Sequence, residues 1–153
     1  MKELFDDRER TLRLLRGLIA FCVASTAIHY SHNFLSISDY PSGAVSDTAT
    51  QIAIIVSWPL FTAIGLVGYR LYARGRYHPA HICLASYSVL GITTLGHFLY
   101  GAPDIPLVFF VTIFTDGIAG FAILAFTLLS VRARRSEAGE AEAARAARLT
   151  GGR

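Results

Sequence analysis

All fourteen Lys and Arg residues of this chain lie in three short segments, and the stretches between those segments are apolar. The basic segments are residues 2–16, 70–76 and 132–153. Formal charge is absent from residues 17–38, 48–69 and 77–103, and Asp116 is the one charge in residues 105–131. Each stretch exceeds the ~20 residues that a helix needs to span a ~30 Å hydrocarbon core. The pattern therefore predicts a polytopic membrane protein.

We expect an all-α fold of four antiparallel transmembrane helices with short loops, because backbone polar groups in lipid must be satisfied within each span. The predicted spans are approximately 14–36, 49–72, 78–101 and 105–132, in a transmembrane domain of residues 1–135. Pro59 lies inside the second span and is expected to kink it. Residues 136–153 form a charged cytoplasmic tail, which is either a helical extension or disordered.

The placement of the cations predicts the orientation of the spans. The two remaining connections contain Asp39, Asp47 and Asp104 and have no Lys or Arg, so the positive-inside rule makes them the outer loops. Both termini are then expected in the cytoplasm, in a plasma membrane of bacterial type.

The composition also bears on the partners. Hydrophobic residues make up 53% of the chain, and its pI is near 9.1. The basic residues flank apolar spans, so they indicate topology and contact with anionic lipid rather than binding of nucleic acid. The lipid bilayer is the expected partner, and a membrane-protein partner or a second copy of the chain remains open.

Polar residues inside the spans are the candidates for function, because ionisable groups in a membrane are costly and mark functional sites by default. In the first span Cys22, Thr26, His29 and Asn33 share one helical face, and His32 lies beside it. The candidate ligand-binding or acid–base residues are His29, Asn33, His97, Asp116, Tyr100, Thr94 and Thr112. Three helices each carry a polar stripe, and we expect all three stripes to face inward.

The depths of these residues in the membrane predict a staggered arrangement. At 1.5 Å per residue, His97 lies ~7 Å, His29 ~10 Å and Asp116 ~16 Å below the outer ends of their helices. Side chains at neighbouring levels can meet. A single compact site that uses all three residues requires helix tilt or an irregular outer end.

Four interpretations of the cluster remain open. The first is a structural hydrogen-bond network in which Asp116 accepts from His29 or a Thr hydroxyl. The second is a site for a transition metal (copper, zinc or iron), with His29, His32 and His97 as ligands and Asp116 as a further ligand or the partner that orients His29. The third is a pocket for a small lipophilic molecule. The fourth is proton or ion passage, which the apolar inner halves of the spans disfavour.

A contrasting hypothesis is a non-catalytic accessory or assembly subunit of a membrane complex. A ligand site predicts that His29, His97 and Asp116 face the inside of the isolated monomer, whereas an assembly subunit predicts a polar stripe that faces lipid. The sequence does not decide whether the protein is an enzyme.

In layout, the chain resembles the emopamil-binding family of small sterol-isomerase-like and sterol-binding membrane proteins. The shared features are the span count, the His-containing end of span one before Asp39-Tyr40-Pro41, Trp58-Pro59 and His97. The resemblance implies a lipid isomerase or a lipid-binding protein. The first two spans contain no Asp or Glu, whereas such an isomerase would use acidic residues there.

Overall fold

The structure is a computed structural model that describes residues 5, 7–40, 45–99 and 101–150. Four α-helices follow one another: α1 (Arg8–Leu35), α2 (Asp47–Ala73), α3 (Tyr77–Thr93) and α4 (Leu107–Thr150). Two 3-10 segments, Ile37–Asp39 and Thr94–Leu99, follow α1 and α3. The described residues contain no strand. Four helical segments, with Thr94–Leu99 counted as part of the third, are long and apolar enough to cross a membrane. The all-helical, four-span prediction is therefore confirmed.

Local sequence signals explain where the helices begin and turn. Asp7 caps α1, because its carboxylate accepts a hydrogen bond from the Arg10 backbone N–H at 3.0 Å. Ser46 caps α2 in the same way through the Ala49 N–H at 3.3 Å. Between α2 and α3, Gly75 adopts a φ of +74°, a conformation that strains other residues.

Two helices extend beyond the predicted spans, since α1 begins at Arg8 rather than near residue 14 and α4 continues past residue 132 to Thr150. The third span was expected to be helical over 78–101, but its α-helix ends at Thr93 and continues as a 3-10 segment to Leu99. The hydroxyls of Thr93 and Thr94 donate to the carbonyls of Leu90 and Gly91 at 3.0 and 2.6 Å, where they compete with the backbone ladder. Residues 136–150, for which the sequence leaves helix and disorder open, continue α4 without a break.

Each helix packs against two others, in the cyclic order α1, α2, α3, α4. At one end of the bundle, the Arg8 guanidinium donates to the Ala73 carbonyl at 2.5 Å, and the hydroxyls of Tyr72 and Ser130 lie 2.9 Å apart. At the other end, the Asp104 N–H donates to the Asp39 carbonyl at 3.3 Å. Large apolar side chains on the outside of the bundle are exposed, among them Ile52, Ile55, Val56, Leu60, Ile118 and Phe121.

Helices α3 and α4 approach closely because glycines face each other at their crossing. A Cβ atom on Gly91 would overlap the backbone carbonyl oxygen of Asp116 and lie 3.1 Å from the Gly120 nitrogen. A Cβ atom on Gly120 would lie 2.7 Å from the Ser88 carbonyl oxygen. Both obstructions include backbone atoms, so a side chain cannot be accommodated by a change of rotamer. Asp116 lies at this crossing, since its backbone carbonyl faces Gly91.

We expect Gly91→Ala to lower the free energy of unfolding by about 1–3 kcal/mol, because the added methyl group forces α3 and α4 apart. The measurement is denaturant-induced unfolding of the detergent-solubilised protein. Gly139→Ala is the matched control, since a Cβ atom there meets nothing within 4 Å. An Ala in that exposed turn of α4 is expected to be neutral or stabilising by about 0.5–1 kcal/mol. Equal effects of the two substitutions would contradict close packing at Gly91.

Candidate intramembrane site

The site centres on two histidines that come from different helical segments. His29 lies on α1 and is fully buried, and His97 lies in the 3-10 segment after α3. Their Nε2 atoms are 3.3 Å apart. The Nδ1 atom of His29 lies 3.4 Å from the Thr112 hydroxyl of α4. The 3-10 segment and the inward face of α1 thus bring together two residues that were expected at neighbouring depths.

Asn33 and Tyr40 complete the surroundings of the two imidazoles. The Asn33 side-chain nitrogen lies 3.2 Å from the Nε2 atom of His97. Among the described residues, the Asn33 side-chain oxygen is buried without a hydrogen-bond partner. The ring of Tyr40 lies 4.8 Å from that of His97 and 5.9 Å from that of His29, centroid to centroid. Tyr40 therefore covers the site from the connection after α1.

Tyr40 was not among the predicted site residues. It lies in a connecting segment, where a polar aromatic residue normally faces water, yet it is 4% exposed. Burial, and secondarily the nearby Asp39, raises the pKa of the Tyr40 phenol to about 12. Its position after the His-containing end of span one was the available signal, but helical spacing does not extend across a turn.

His32 does not face the His29–His97 pair. Its Nδ1 atom lies 2.9 Å from the Tyr40 hydroxyl, and its ring stacks on Phe109 with 3.8 Å between centroids. One helical turn separates it from His29, but it is directed to the side of α1 where α4 begins. Tyr40 thus contacts both histidines of α1. Its hydroxyl faces His32 and its ring faces His29.

Asp116 is fully buried in α4, next to the histidine pair along the bundle. Its carboxyl group is hydrogen-bonded by the Ser25 hydroxyl, and the same Ser25 oxygen lies 2.7 Å from the Thr115 hydroxyl. The second oxygen of Asp116 is without a partner among the described residues. The structure therefore pairs Asp116 with Ser25, one turn before His29 on α1, rather than with His29 or a threonine as the network interpretation had expected.

The remaining predicted site residues are Thr94, Thr112 and Tyr100. The Thr94 hydroxyl contacts the carbonyls of Gly91 and Ile113, at 2.6 and 3.2 Å, and so links α3 to α4. Thr112 donates to the Phe109 carbonyl at 2.6 Å and also faces His29. Tyr100 lies outside the described residues.

Beside the site, an apolar groove of about 470 Å³ runs between α1 and α2. Its walls include Tyr30, Phe34, Trp58 and Pro59. The Trp58 indole N–H donates to the Thr26 hydroxyl at 3.2 Å, so this ring is held at the groove by the polar stripe of α1. The groove opens on the outer surface of the bundle, whereas the His29–His97 pair lies in the interior of the bundle.

The described residues contain no group of three or more His, Cys, Asp or Glu side chains arranged to hold a metal ion. Any metal at His29 and His97 would therefore need further donors of another type. Comparison of the chain with known proteins found no matching family model, no similar curated protein and no similar solved structure. The resemblance to the emopamil-binding family thus stays a prediction.

We expect Ser25→Ala to destabilise the protein by about 1–3 kcal/mol, because it leaves a buried carboxyl group without its donor. Ser31→Ala is the control, since Ser31 is on the same helix but exposed. The free energy of unfolding in detergent measures both. In an Asp116→Ala background, the cost of Ser25→Ala should fall, and an unchanged cost would refute the pairing.

The pKa of Tyr40 predicts a specific alkaline instability. An unfolded tyrosine ionises near pH ~10, whereas folded Tyr40 remains neutral to about pH 12. The contribution of Tyr40 to stability is therefore complete below pH ~10 and is lost as the pH rises toward 12. We expect Tyr40→Phe to show a smaller decline over this interval, measured as the free energy of unfolding at stepped pH. Identical declines would show that Tyr40 ionises freely in the folded protein.

Proposed function

We propose that this small polytopic membrane protein binds a transition metal ion between His29 and His97. The distance of 3.3 Å between their Nε2 atoms carries the proposal. In a tetrahedral site with metal–nitrogen bonds of ~2.0–2.1 Å, two ligand nitrogens lie roughly 3.3–3.4 Å apart. The two imidazoles thus have the separation that a shared ion requires.

The contacts of His29 on its far side support this assignment. A ligating histidine usually has its other ring nitrogen bonded to an oxygen, which fixes the ring and its tautomer. In His29 that oxygen is the Thr112 hydroxyl, 3.4 Å from Nδ1. His29 would therefore present Nε2 to the ion as a neutral ligand.

Asn33 is the best candidate for a third donor. Its amide group lies 3.2 Å from the Nε2 atom of His97, and its oxygen is otherwise without a partner among the described side chains. The oxygen and nitrogen of the Asn33 amide are similar in size, so a half-turn of the group exchanges their positions. The oxygen would then face His97 in place of the nitrogen. Two nitrogens and one oxygen suit zinc, copper or iron, with the last position left for water.

Two of the originally predicted ligands are not used in this proposal. His32 is engaged with Tyr40 and Phe109, and Asp116 is engaged with Ser25. Both therefore act as supports of neighbouring groups. Binding of the ion requires no catalytic step, and we assign none.

We further propose that the helices are antiparallel and that both termini lie in the cytoplasm of a bacterial-type plasma membrane. The contact of Arg8 with Ala73, at the start of α1 and the end of α2, supports the antiparallel arrangement. The cation-free connections then face outward, by the positive-inside rule. In this orientation the metal site lies near the outer face, and the exposed apolar side chains contact lipid.

The burial of the polar residues favours a site within the monomer over an accessory subunit. An assembly subunit would display a polar stripe toward lipid, for a partner to satisfy. Here His29 and Asp116 are fully buried and Asn33 is 3% exposed. Their hydrogen bonds reach other helices of the same chain.

A second candidate is the binding of a small lipophilic molecule in the groove between α1 and α2. The observation in its favour is an apolar space of about 470 Å³ lined by the aromatic rings of Tyr30, Phe34 and Trp58. Such a space is within the usual size range of small-molecule sites. A lipid that co-purifies with the protein and is lost on Ala27→Trp, which fills this groove, would support it.

The metal content of the purified protein tests the main proposal. We expect near-stoichiometric metal after reconstitution with copper, zinc or iron, measured by elemental mass spectrometry. His29→Ala/His97→Ala should abolish it, because both nitrogen ligands are lost. Circular dichroism and the elution volume of each variant establish that it is folded.

Two further variants test whether metal binding is specific to His29 and His97. His78→Ala/His81→Ala removes the same number of imidazoles at the other end of the bundle and should retain the metal. His32→Ala should also retain it, whereas a ligand role for His32 predicts its loss. Wild-type protein that stays metal-free after all three reconstitutions would leave the His29–His97 contact as part of a structural hydrogen-bond network.

A further inference from the structure

We infer a second binding site, for the headgroup of an anionic phospholipid, at the end of the bundle opposite the His29–His97 pair. The site is a groove of about 540 Å³ between the start of α3 and the middle of α4. It shares no residue with the proposed metal site. Its lining changes from cationic and imidazole groups at the mouth to apolar groups below.

The mouth of the groove carries the groups that a phosphate requires. Arg134 and Arg135 come from α4, and His78 and His81 come from the first turns of α3. Guanidinium groups bind phosphate oxygens through two parallel hydrogen bonds, and an imidazole adds a single one. His78 is the imidazole with this role, since the Nε2 atom of His81 lies 2.9 Å from the Ser130 hydroxyl. In the described part of the chain, Arg135 forms no ion pair and is exposed.

Arg134 is held in place while part of its donor capacity remains unused. Its Nη1 atom contacts both carboxylate oxygens of Glu137, at 3.1 and 2.9 Å, and its guanidinium lies 4.2 Å above the Tyr77 ring. Its Nε atom is buried and has no hydrogen-bond partner among the described residues. Glu137 is the acidic group beside the mouth, and it neutralises one of the two arginines only.

The start of α3 adds a further anion-binding element. Arg76 precedes the helix, and no side chain of the described residues caps its first turn. The free backbone N–H groups of a first turn carry partial positive charge and bind phosphate. Tyr77 and His78 supply them here, next to the two arginines.

Below the mouth the groove matches the upper part of an acyl chain. Its walls are Ile82, Ala85, Leu128 and Val131, on the faces of α3 and α4 that meet there. From His78 to Ala85, and from Leu128 to Arg135, the groove extends roughly 10 Å along each helix. A ligand with a charged end and an apolar body fits this lining, whereas a free phosphate would leave the apolar walls uncovered. Basic pockets between transmembrane helices bind anionic lipid in this manner.

Lipid binding to the intact protein, released from detergent and observed by native mass spectrometry, tests the site. Dioleoyl phosphatidylglycerol is the probe, and dioleoyl phosphatidylcholine is the zwitterionic control. We expect Arg134→Gln/Arg135→Gln to weaken phosphatidylglycerol binding at least roughly tenfold, since each cation near the surface contributes to the attraction. Arg145→Gln/Arg148→Gln removes the same charge from the exposed tail and should leave binding unchanged.

A second variant separates a lipid from free phosphate. Leu128→Trp fills the apolar wall at an exposed position without a change of charge, and it should also weaken phosphatidylglycerol binding. Inorganic phosphate in excess should compete poorly. The inference is overturned if phosphatidylcholine binds as tightly as phosphatidylglycerol, if the two arginine pairs act equally, or if Leu128→Trp has no effect.

Discussion

A polar group within the hydrocarbon layer must find its hydrogen-bond partner inside the protein, and this requirement organises the contacts between the helices. Ser25 on α1 bonds Asp116 on α4, Thr26 accepts from Trp58 on α2, and His29 meets His97 after α3. Successive levels of one face of α1 thus reach the three other helical segments. The face is continuous because helical spacing places these residues above one another.

Close approach of helix backbones adds van der Waals contact to the hydrogen bonds between the helices. Apolar side chains gain little by leaving lipid for the interior of a bundle, so packing depends on close van der Waals contact. Gly91 and Gly120 allow α3 and α4 to touch backbone to backbone, and Asp116, whose carbonyl lies at this contact, bonds Ser25 through its side chain. The polar network and the glycine crossing therefore depend on each other.

The two ends of the bundle differ in chemistry, and the two proposals follow from this difference. The side chains of His29, His97 and Asn33 converge at one end, where we propose that a metal ion binds. Cationic groups lie at the other end around an open groove, where we infer a site for a charged lipid headgroup. The intervening level holds Asp116, whose partner Ser25 is itself close to Thr115.

The sequence alone determined the number of helices, their length and apolar character and the inward direction of the polar stripes, because charge distribution and helical periodicity are properties of the chain itself. It also indicated that His29 and His97 lie at neighbouring depths. The partner of each polar group was decided only by the tertiary structure. Whether Asp116 meets Ser25 or His29 depends on the rotation and depth of α4 against α1, which a shift of one helical turn would change.

The same reason explains the residues that sequence reasoning passed over or placed differently. Tyr40 reaches the site across a turn, Gly91 matters only where it meets Asp116, and His32 faces Phe109 although it is one turn from His29. The 3-10 segment after Thr93 moves His97 off the regular helical path that was expected for it. Periodicity defines which residues share a face of one helix, whereas the crossing of helices and the path of connections define which faces meet.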